Sequence, residues 1–295
     1  MSSFFKNLLL LLLVKVCIAD YGDNIHFELF TRIRHFERIN ITPGHDNLLE
    51  TTFNISKPTK VIIHGFISNS KASHLVKIQK NYLFKFDCNV IMVDWSYHAN
   101  NMYITAIGLS RIVAIYVARL FLVLMKNGVQ DIHAIGHSLG AHIPAIASNY
   151  LGKHKLNRIT GLDPARPLLG IIGLGAKLDS SDALFVDVYH SSILGRVDAC
   201  GHVDFIMNSG KTQPGCRTLD LVCHHARASL YFAESITSMR GFWGYPENLT
   251  SEILSDKVSK GSVQKIAGEF VNRSIRGVYY VPTNARKPFA KGPYF

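Results

Sequence analysis

Proline, tryptophan and cysteine are scarce in this 295-residue chain, with 10, 2 and 5 residues respectively. No Pro/Gly/Ser-rich linker, internal repeat or low-complexity run interrupts it, so nothing in the composition divides it into separate domains. Acidic residues are the minority charge, 21 against 32 Lys and Arg, for a formal net charge of +11. Yet there is no Lys/Arg cluster, zinc-type spacing or recognition-helix pattern, which argues against nucleic acid as the partner. A basic balance without such motifs suits anionic surfaces such as lipid headgroups.

The only apolar run near the start, Leu8–Val14, is too short to cross a bilayer. It follows Lys6 and ends at the small-residue site Cys17-Ile18-Ala19, the pattern of a secretory leader over residues 1–19. Its removal would take Lys6, Lys15 and Cys17 with it and lower the net charge to +9. Residues 20–295 then form one α/β unit, a length that suits a single large core. Four cysteines remain: Cys88, Cys200, Cys216 and Cys223. In a secreted chain they imply two disulfides with three possible pairings. Sequons at Asn40, Asn54, Asn248 and Asn272 fit the same extracellular compartment.

Apolar strands alternate with helical segments: Val61–Ile63, Val90–Trp95, Ile132–Gly136, Ile159–Leu162, Ala183–Tyr189 and Gly277–Val281, with helices over Ile112–Met125, Ala141–Leu151 and Ala226–Ser238. Continuous apolar strands of this kind belong to a mainly parallel sheet covered on both faces. Ile112–Met125 is almost wholly apolar, and at this length it reads as a buried helix.

The segment around which the rest is arranged is Gly136-His137-Ser138-Leu139-Gly140, a G-x-S-x-G between a strand and a helix. By composition alone such a pentapeptide arises in about one chain in ten of this length. The flanking strand and helix make it a nucleophile elbow, in which Ser138 sits in strained backbone and its hydroxyl stands at a helix N-terminus. Pro144 predicts a local kink in that helix. A serine nucleophile needs a histidine base oriented by an acid, in the chain order Ser, Asp or Glu, His. Asp163 ends the next strand; Asp187 is a rival acid inside a strand. His190, His202, His224 and His225 lie downstream, and spacing alone does not choose among them. His137 and His142 read as packed neighbours.

Five segments carry a resemblance: H-G-F at 64–66, V-D-W at 93–95, G-H-S-L-G-A-H at 136–142, G-L-D-P-A at 161–165 and C-x-H-x-R at 223–227. Q-P-G-C at 213–216 and L-D-S-S-D-A-L-F-V-D-V at 178–188 extend it. In this order and spacing, from about residue 58 onwards, the chain resembles the animal pancreatic-lipase family. The resemblance implies an α/β-hydrolase fold and hydrolysis of lipid carboxylic esters with no cofactor or catalytic metal. By position it makes Ser138 the nucleophile, Asp163 the acid and His225 the base, with the backbone N–H groups of Phe66 and Leu139 as oxyanion hole.

It also pairs Cys216 with Cys223 as the bridge at the base of the lid, leaving Cys88 and Cys200 as the second pair. Only 217–222 lie within that lid, and the segment from His190 to Gly201 is short as well. Short versions of both loops are what the family's phospholipase A1 members show, including insect venom enzymes, whereas its triacylglycerol lipases carry longer ones. The expectation is therefore a phospholipase A1 acting at a membrane or aggregate surface. The sequence runs out soon after Val281-Pro282, where the lipases continue into a β-sandwich, so no colipase partner is expected; the oligomeric state is left open. Asp179 and Asp182 match carboxylates that hold calcium in some members, but two carboxylates fall short of a ligand set, and a solvated turn is the simpler reading. Two rival classes are a binding or storage protein that kept the fold and lost activity, and an esterase for soluble esters. An intact Ser138, Asp163 and His225 argue against the first.

Overall fold

The computed structural model describes residues 22–41, 46–166, 177–246 and 264–293. The leader expected at 1–19 and the sequon at 248–250 lie outside the described residues. Eleven strands form one sheet: β1 His26–Phe30, β2 Glu37–Ile39, β3 Thr59–Ile63, β4 Asn89–Asp94, β5 Ile132–His137, β6 Arg158–Leu162, β7 Val186–His190, β8 Val203–Met207, β9 Phe242–Pro246, β10 Lys265–Ala267 and β11 Gly277–Val281. Their order is β10-β9-β11-β8-β7-β6-β5-β3-β4-β1-β2. From β4 through β3, β5, β6, β7 and β8 to β11 every pairing is parallel, while β1–β2 and β9–β10 add antiparallel edges.

Among the described residues four longer helices cover the two faces, α1 Ser73–Lys85, α2 Tyr103–Lys126, α3 His142–Ser148 and α4 Leu221–Thr237, besides a single turn at Ser96–Ala99. The period-two alternation of the strands divides the core accordingly. Val61, Ile63, Ile91 and Val93 pack with α2 residues such as Val113, Val117 and Phe121. Ile62, Val90, Met92 and Ile135 face the other way, towards Leu75, Ile78 and Tyr82 of α1 and Phe232 of α4. Helix α2 is long and apolar enough to cross a membrane by length and composition. Ala114, Val117, Leu120, Phe121 and Leu124 are buried within the molecule, as the sequence led us to expect of Ile112–Met125.

Strand order reverses between β3 and β5, since β4 continues on one side and β6 on the other. In an open parallel sheet this switch point opens a crevice beyond the carboxyl ends of the strands. The H-G-F segment follows β3 and Ser138 follows β5, so the two motifs meet at the crevice. The helix expected at Ala141–Leu151 is instead a 3-10 turn at Ser138–Ala141 followed by α3. Pro144 falls in the first turn of α3, where its missing N–H leaves no intrahelical bond unmade.

The second predicted disulfide is corrected by the fold. Cys216 and Cys223 are bonded, with Cα atoms 5.8 Å apart. Cys88 and Cys200 are buried free thiols. Cys88 precedes β4 and Cys200 precedes β8, five strand spacings apart in the sheet, or about 24 Å at the usual spacing. A disulfide needs Cα atoms within about 7 Å.

Candidate active site

Close backbone packing shapes the elbow. A side-chain carbon at Gly140 would sit 2.2 Å from the His64 carbonyl oxygen, and one at Gly136 would sit 2.3 Å from the Gly140 carbonyl oxygen. Only glycine lets the turn close this tightly. Ser138 adopts φ +57°, a left-handed conformation that costs a non-glycine residue about 1 kcal/mol or more. Its hydroxyl has no hydrogen-bond partner among the described residues. Gly65 lies directly against it: a carbon there would approach Ser138 Cβ to 2.7 Å and Oγ to 3.3 Å.

Asp163, just past β6, also has positive φ, +46°. Its buried carboxylate accepts four hydrogen bonds. Two come from the backbone N–H groups of Ser191 and Ser192, at 2.7 and 3.1 Å to Oδ1. The Ser192 hydroxyl donates to Oδ2. The fourth donor is His225 Nδ1, 2.6 Å from Oδ2. A carboxylate facing Nδ1 places the ring proton on that nitrogen, which leaves Nε2 with a free lone pair. Such an imidazole can accept a proton from a nearby hydroxyl. His225 sits in the first turns of α4, and its ring lies 4.5 Å from that of His137, the residue before Ser138.

The other histidines and the rival acid are engaged elsewhere. His190 bonds Arg196 O and Asp204 Oδ1, both at 2.8 Å. His202 Nδ1 accepts the Val186 N–H, and His224 Nδ1 accepts the Gln213 N–H. Asp187 is held by both Arg158 Nε and Nη2, at 2.8 and 2.7 Å, and by the Thr160 hydroxyl. Asp163 and His225 are thus the acid and imidazole that the fold brings together, with the His225 ring against His137, the residue before Ser138.

His137 and His142 pack as expected. His137 Nε2 lies 3.2 Å from the His225 carbonyl oxygen. Burial, and then the neighbouring His225, hold its pKa well below the ordinary histidine value, so it stays neutral. His142 accepts the Leu178 N–H on Nδ1 and so donates from Nε2 to Ala165 O. Burial pushes His142 down to about 4. Asp179 and Asp182 form a reciprocal cap on the short helix 180–182, each accepting a backbone N–H from that turn.

Two features of the site were not legible in the sequence. Ser192 Oγ contacts both partners, Asp163 Oδ2 and, at 3.3 Å, His225 Nδ1. Gly195 backs the acid, since a side-chain carbon there would lie 2.3 Å from Asp163 Oδ1. The available signal was positional: Ser191-Ser192 follows β7, the strand beside β6, which leads into Asp163.

The H-G-F segment is held from below. Trp95 donates its backbone N–H to His64 Nε2 at 3.0 Å, so the proton is on Nδ1, which donates to Gly65 O at 2.9 Å. In a trans peptide the next N–H points opposite to that carbonyl. The Phe66 N–H is therefore turned away from the His64 ring. The following Ile67 N–H is consumed by Ala99 O, and Ile67 carries φ +45° despite its branched side chain. Leu139 lies in the first turn after Ser138, where backbone N–H groups have no intrahelical partner.

The Lipase family profile matches residues 19–261. Pancreatic lipase-related protein 2 of Sus scrofa is 36% identical over 259 residues, covering 77% of this chain and 54% of that protein. The protein of the same name from Cavia porcellus is 39% identical over 207 residues, covering 66% and 47%. Phospholipase A1 member A of Rattus norvegicus is 36% identical over 222 residues, covering 69% and 48%. The chain spans about half the length of the curated relatives it matches. With an α/β-hydrolase sheet, a nucleophile elbow at its switch point and a family profile matching over most of its length, the chain belongs to the Lipase family.

Proposed function

We propose that this protein is a secreted serine hydrolase that cleaves carboxylic esters of lipids, with phospholipase A1 specificity. The observation that carries the reading is the 2.6 Å bond from His225 Nδ1 to Asp163 at the mouth of the crevice that holds Ser138. His225 takes the Ser138 proton through Nε2 as Oγ attacks the ester carbonyl. Asp163 keeps the imidazole in its Nδ1–H tautomer and stabilises the imidazolium. The backbone N–H groups of Phe66 and Leu139 receive the oxyanion, each worth about 3 kcal/mol. His225 then protonates the leaving alcohol. Water, activated by the same ring, releases the fatty acid from Ser138.

Two loops favour a phospholipid over triacylglycerol. The disulfide-closed segment 217–222 is a single short turn before α4. The connection from His190 to Gly201 folds back on the strand ends through Arg166 N to Leu194 O and Arg196 N to Pro164 O. Neither supplies the long apolar wall that the family's triacylglycerol lipases carry at these places, so a polar headgroup can stand at the mouth. Leu219, Val222, Met102 and Ile67 are largely exposed in the segments flanking the crevice and suit contact with a lipid surface. The disulfide, and exposed sequon asparagines Asn54 and Asn272, fit an extracellular protein.

The test is product analysis on phosphatidylcholine vesicles labelled differently at sn-1 and sn-2, with triolein emulsion in parallel and Ser138→Ala as the blank. Release of the sn-1 acid with little from triolein is expected. Dominant triolein hydrolysis would overturn the loop argument, and no release from either substrate would make the chain a binding protein.

A further inference from the structure

On the far side of α1 from α4, between that helix and the β1–β4 edge of the sheet, lies a cavity of about 640 Å³. The register pairs Glu28 with Met92 and Phe30 with Val90, and Met92 and Val90 belong to the core face covered by α1. Glu28 therefore places a carboxylate on an inner, apolar face, where the alternation calls for a hydrophobe. It is 7% exposed and lines the cavity together with Gln79 of α1, which is 8% exposed. Neither side chain has a hydrogen-bond or ion-pair partner among the described residues. The Glu28 carboxylate opens onto the cavity with no partner among those residues, so a cation entering there meets an uncompensated negative charge.

The walls say which kind of cation. Phe30 and Phe36 meet edge to face at 6.0 Å, and Phe84, 79% exposed, stands at the same cavity. One carboxylate and one amide are too few oxygens for calcium or magnesium. A quaternary ammonium needs no hydrogen bonds, is weakly hydrated, and is attracted to aromatic faces as well as to a carboxylate. The rim has the opposite charge. Lys71 and Lys80 are exposed there with no ion-pair partner among the described residues. The Arg32 guanidinium is fixed at the same rim by the carbonyls of Leu83 and Phe84, at 2.8 and 3.0 Å. A negative site inside and a positive rim match a zwitterion with its cation leading and its anion trailing.

We infer that this cavity binds a phosphocholine group, with the quaternary ammonium against Glu28 and the phenylalanine rings, and the phosphate at Lys71, Lys80 and Arg32. The site is separate from Ser138 and His225 and does not rest on the proposed reaction. The group can come from a free soluble molecule or from the headgroup of a lipid.

Calorimetric titration of the full chain carrying Ser138→Ala separates these cases without turnover. The titrants are phosphocholine, inorganic phosphate, and monomeric dodecylphosphocholine with dodecyl phosphate as its control. Phosphocholine and dodecylphosphocholine are expected to bind one per chain, and Glu28→Gln to weaken both by at least about tenfold. Phe36→Leu, at an exposed position that leaves folding intact, is expected to weaken them severalfold. Tighter binding of dodecylphosphocholine than of phosphocholine assigns the site to a lipid headgroup; equal affinity assigns it to the soluble molecule. The thermal midpoint of Glu28→Gln is expected to match that of the parent, because the carboxylate has no partner among the described residues to lose. Absence of binding by both choline compounds, equal binding of dodecyl phosphate, or indifference to both substitutions would overturn the inference.

Discussion

Replacing Asp163 by Asn tests the orientation of the base with almost no change in shape. All four groups around the carboxylate are donors: two backbone N–H groups at Oδ1, and the Ser192 hydroxyl and His225 Nδ1 at Oδ2. An amide must put its NH₂ at one of these two positions. Placed at Oδ1, it opposes the N–H groups of Ser191 and Ser192, which cannot turn. Placed at Oδ2, it donates to His225 Nδ1, and the Ser192 hydroxyl can rotate to accept. The second arrangement wins, and it moves the ring proton to Nε2, the nitrogen that has to receive the serine proton. The corresponding change in a serine protease triad lowers kcat by about 10⁴, or about 5.5 kcal/mol. The same loss is expected here, measured as kcat on a short-chain 4-nitrophenyl ester at pH 8, with KM within about threefold of the parent and the urea midpoint little changed. A kcat within tenfold of the parent would refute the assignment of Asp163 as the orienting acid.

Three further outcomes follow from the same geometry. Gly195→Ala puts a carbon on the Asp163 carboxylate and displaces it, so kcat should fall by about a hundredfold with KM nearly unchanged; an unaffected kcat would mean the acid tolerates displacement. His142 has a folded pKa of about 4 against an ordinary 6.5, so its contribution is complete above pH 6.5 and lost as pH falls towards 4, a loss of about 3 kcal/mol. Urea unfolding from pH 7 to 4 should show that much steeper a decline for the parent than for His142→Gln, and parallel curves would contradict it. Thiol titration of the native protein should leave Cys88 and Cys200 unreactive, because burial pushes their pKa values up to about 11 and 12. Both should react after unfolding without reductant, and a peptide linking them would overturn the free-thiol assignment.

The central strands and the elbow were legible because they depend on local pattern. Val61–Ile63 and Val90–Val93 are apolar on both sides, and Ile132–Ile135 is so but for the buried His133, which is how a covered parallel strand reads. The glycines at 136 and 140 reveal a turn too tight for any other residue. The edge strands β1, β2, β9 and β10 carried no such signal: β2 and β10 are only three residues long, β1 mixes His26 and Glu28 with apolar residues, and β9 contains a glycine and a proline. Helix α1, with three lysines and four further polar residues among its thirteen, was missed because its apolar residues are too few to form a continuous run.

The chemistry of the site divides along the same line. Sequence marked Ser138 as the candidate nucleophile, since the requirement for a strained turn is contained in five consecutive residues. It also restricted the acid to the ends of the following strands. Which histidine faces that acid was decided only by folding: His190, His202, His224 and His225 are the same residue type, and only the tertiary packing gives His225 the Asp163 carboxylate while His190 takes Asp204 and His202 and His224 take backbone N–H groups. The cysteines make the same point. Cys216 and Cys223 are close because a short loop joins them, whereas the separation of Cys88 from Cys200 is a property of strand order, which no local pattern encodes.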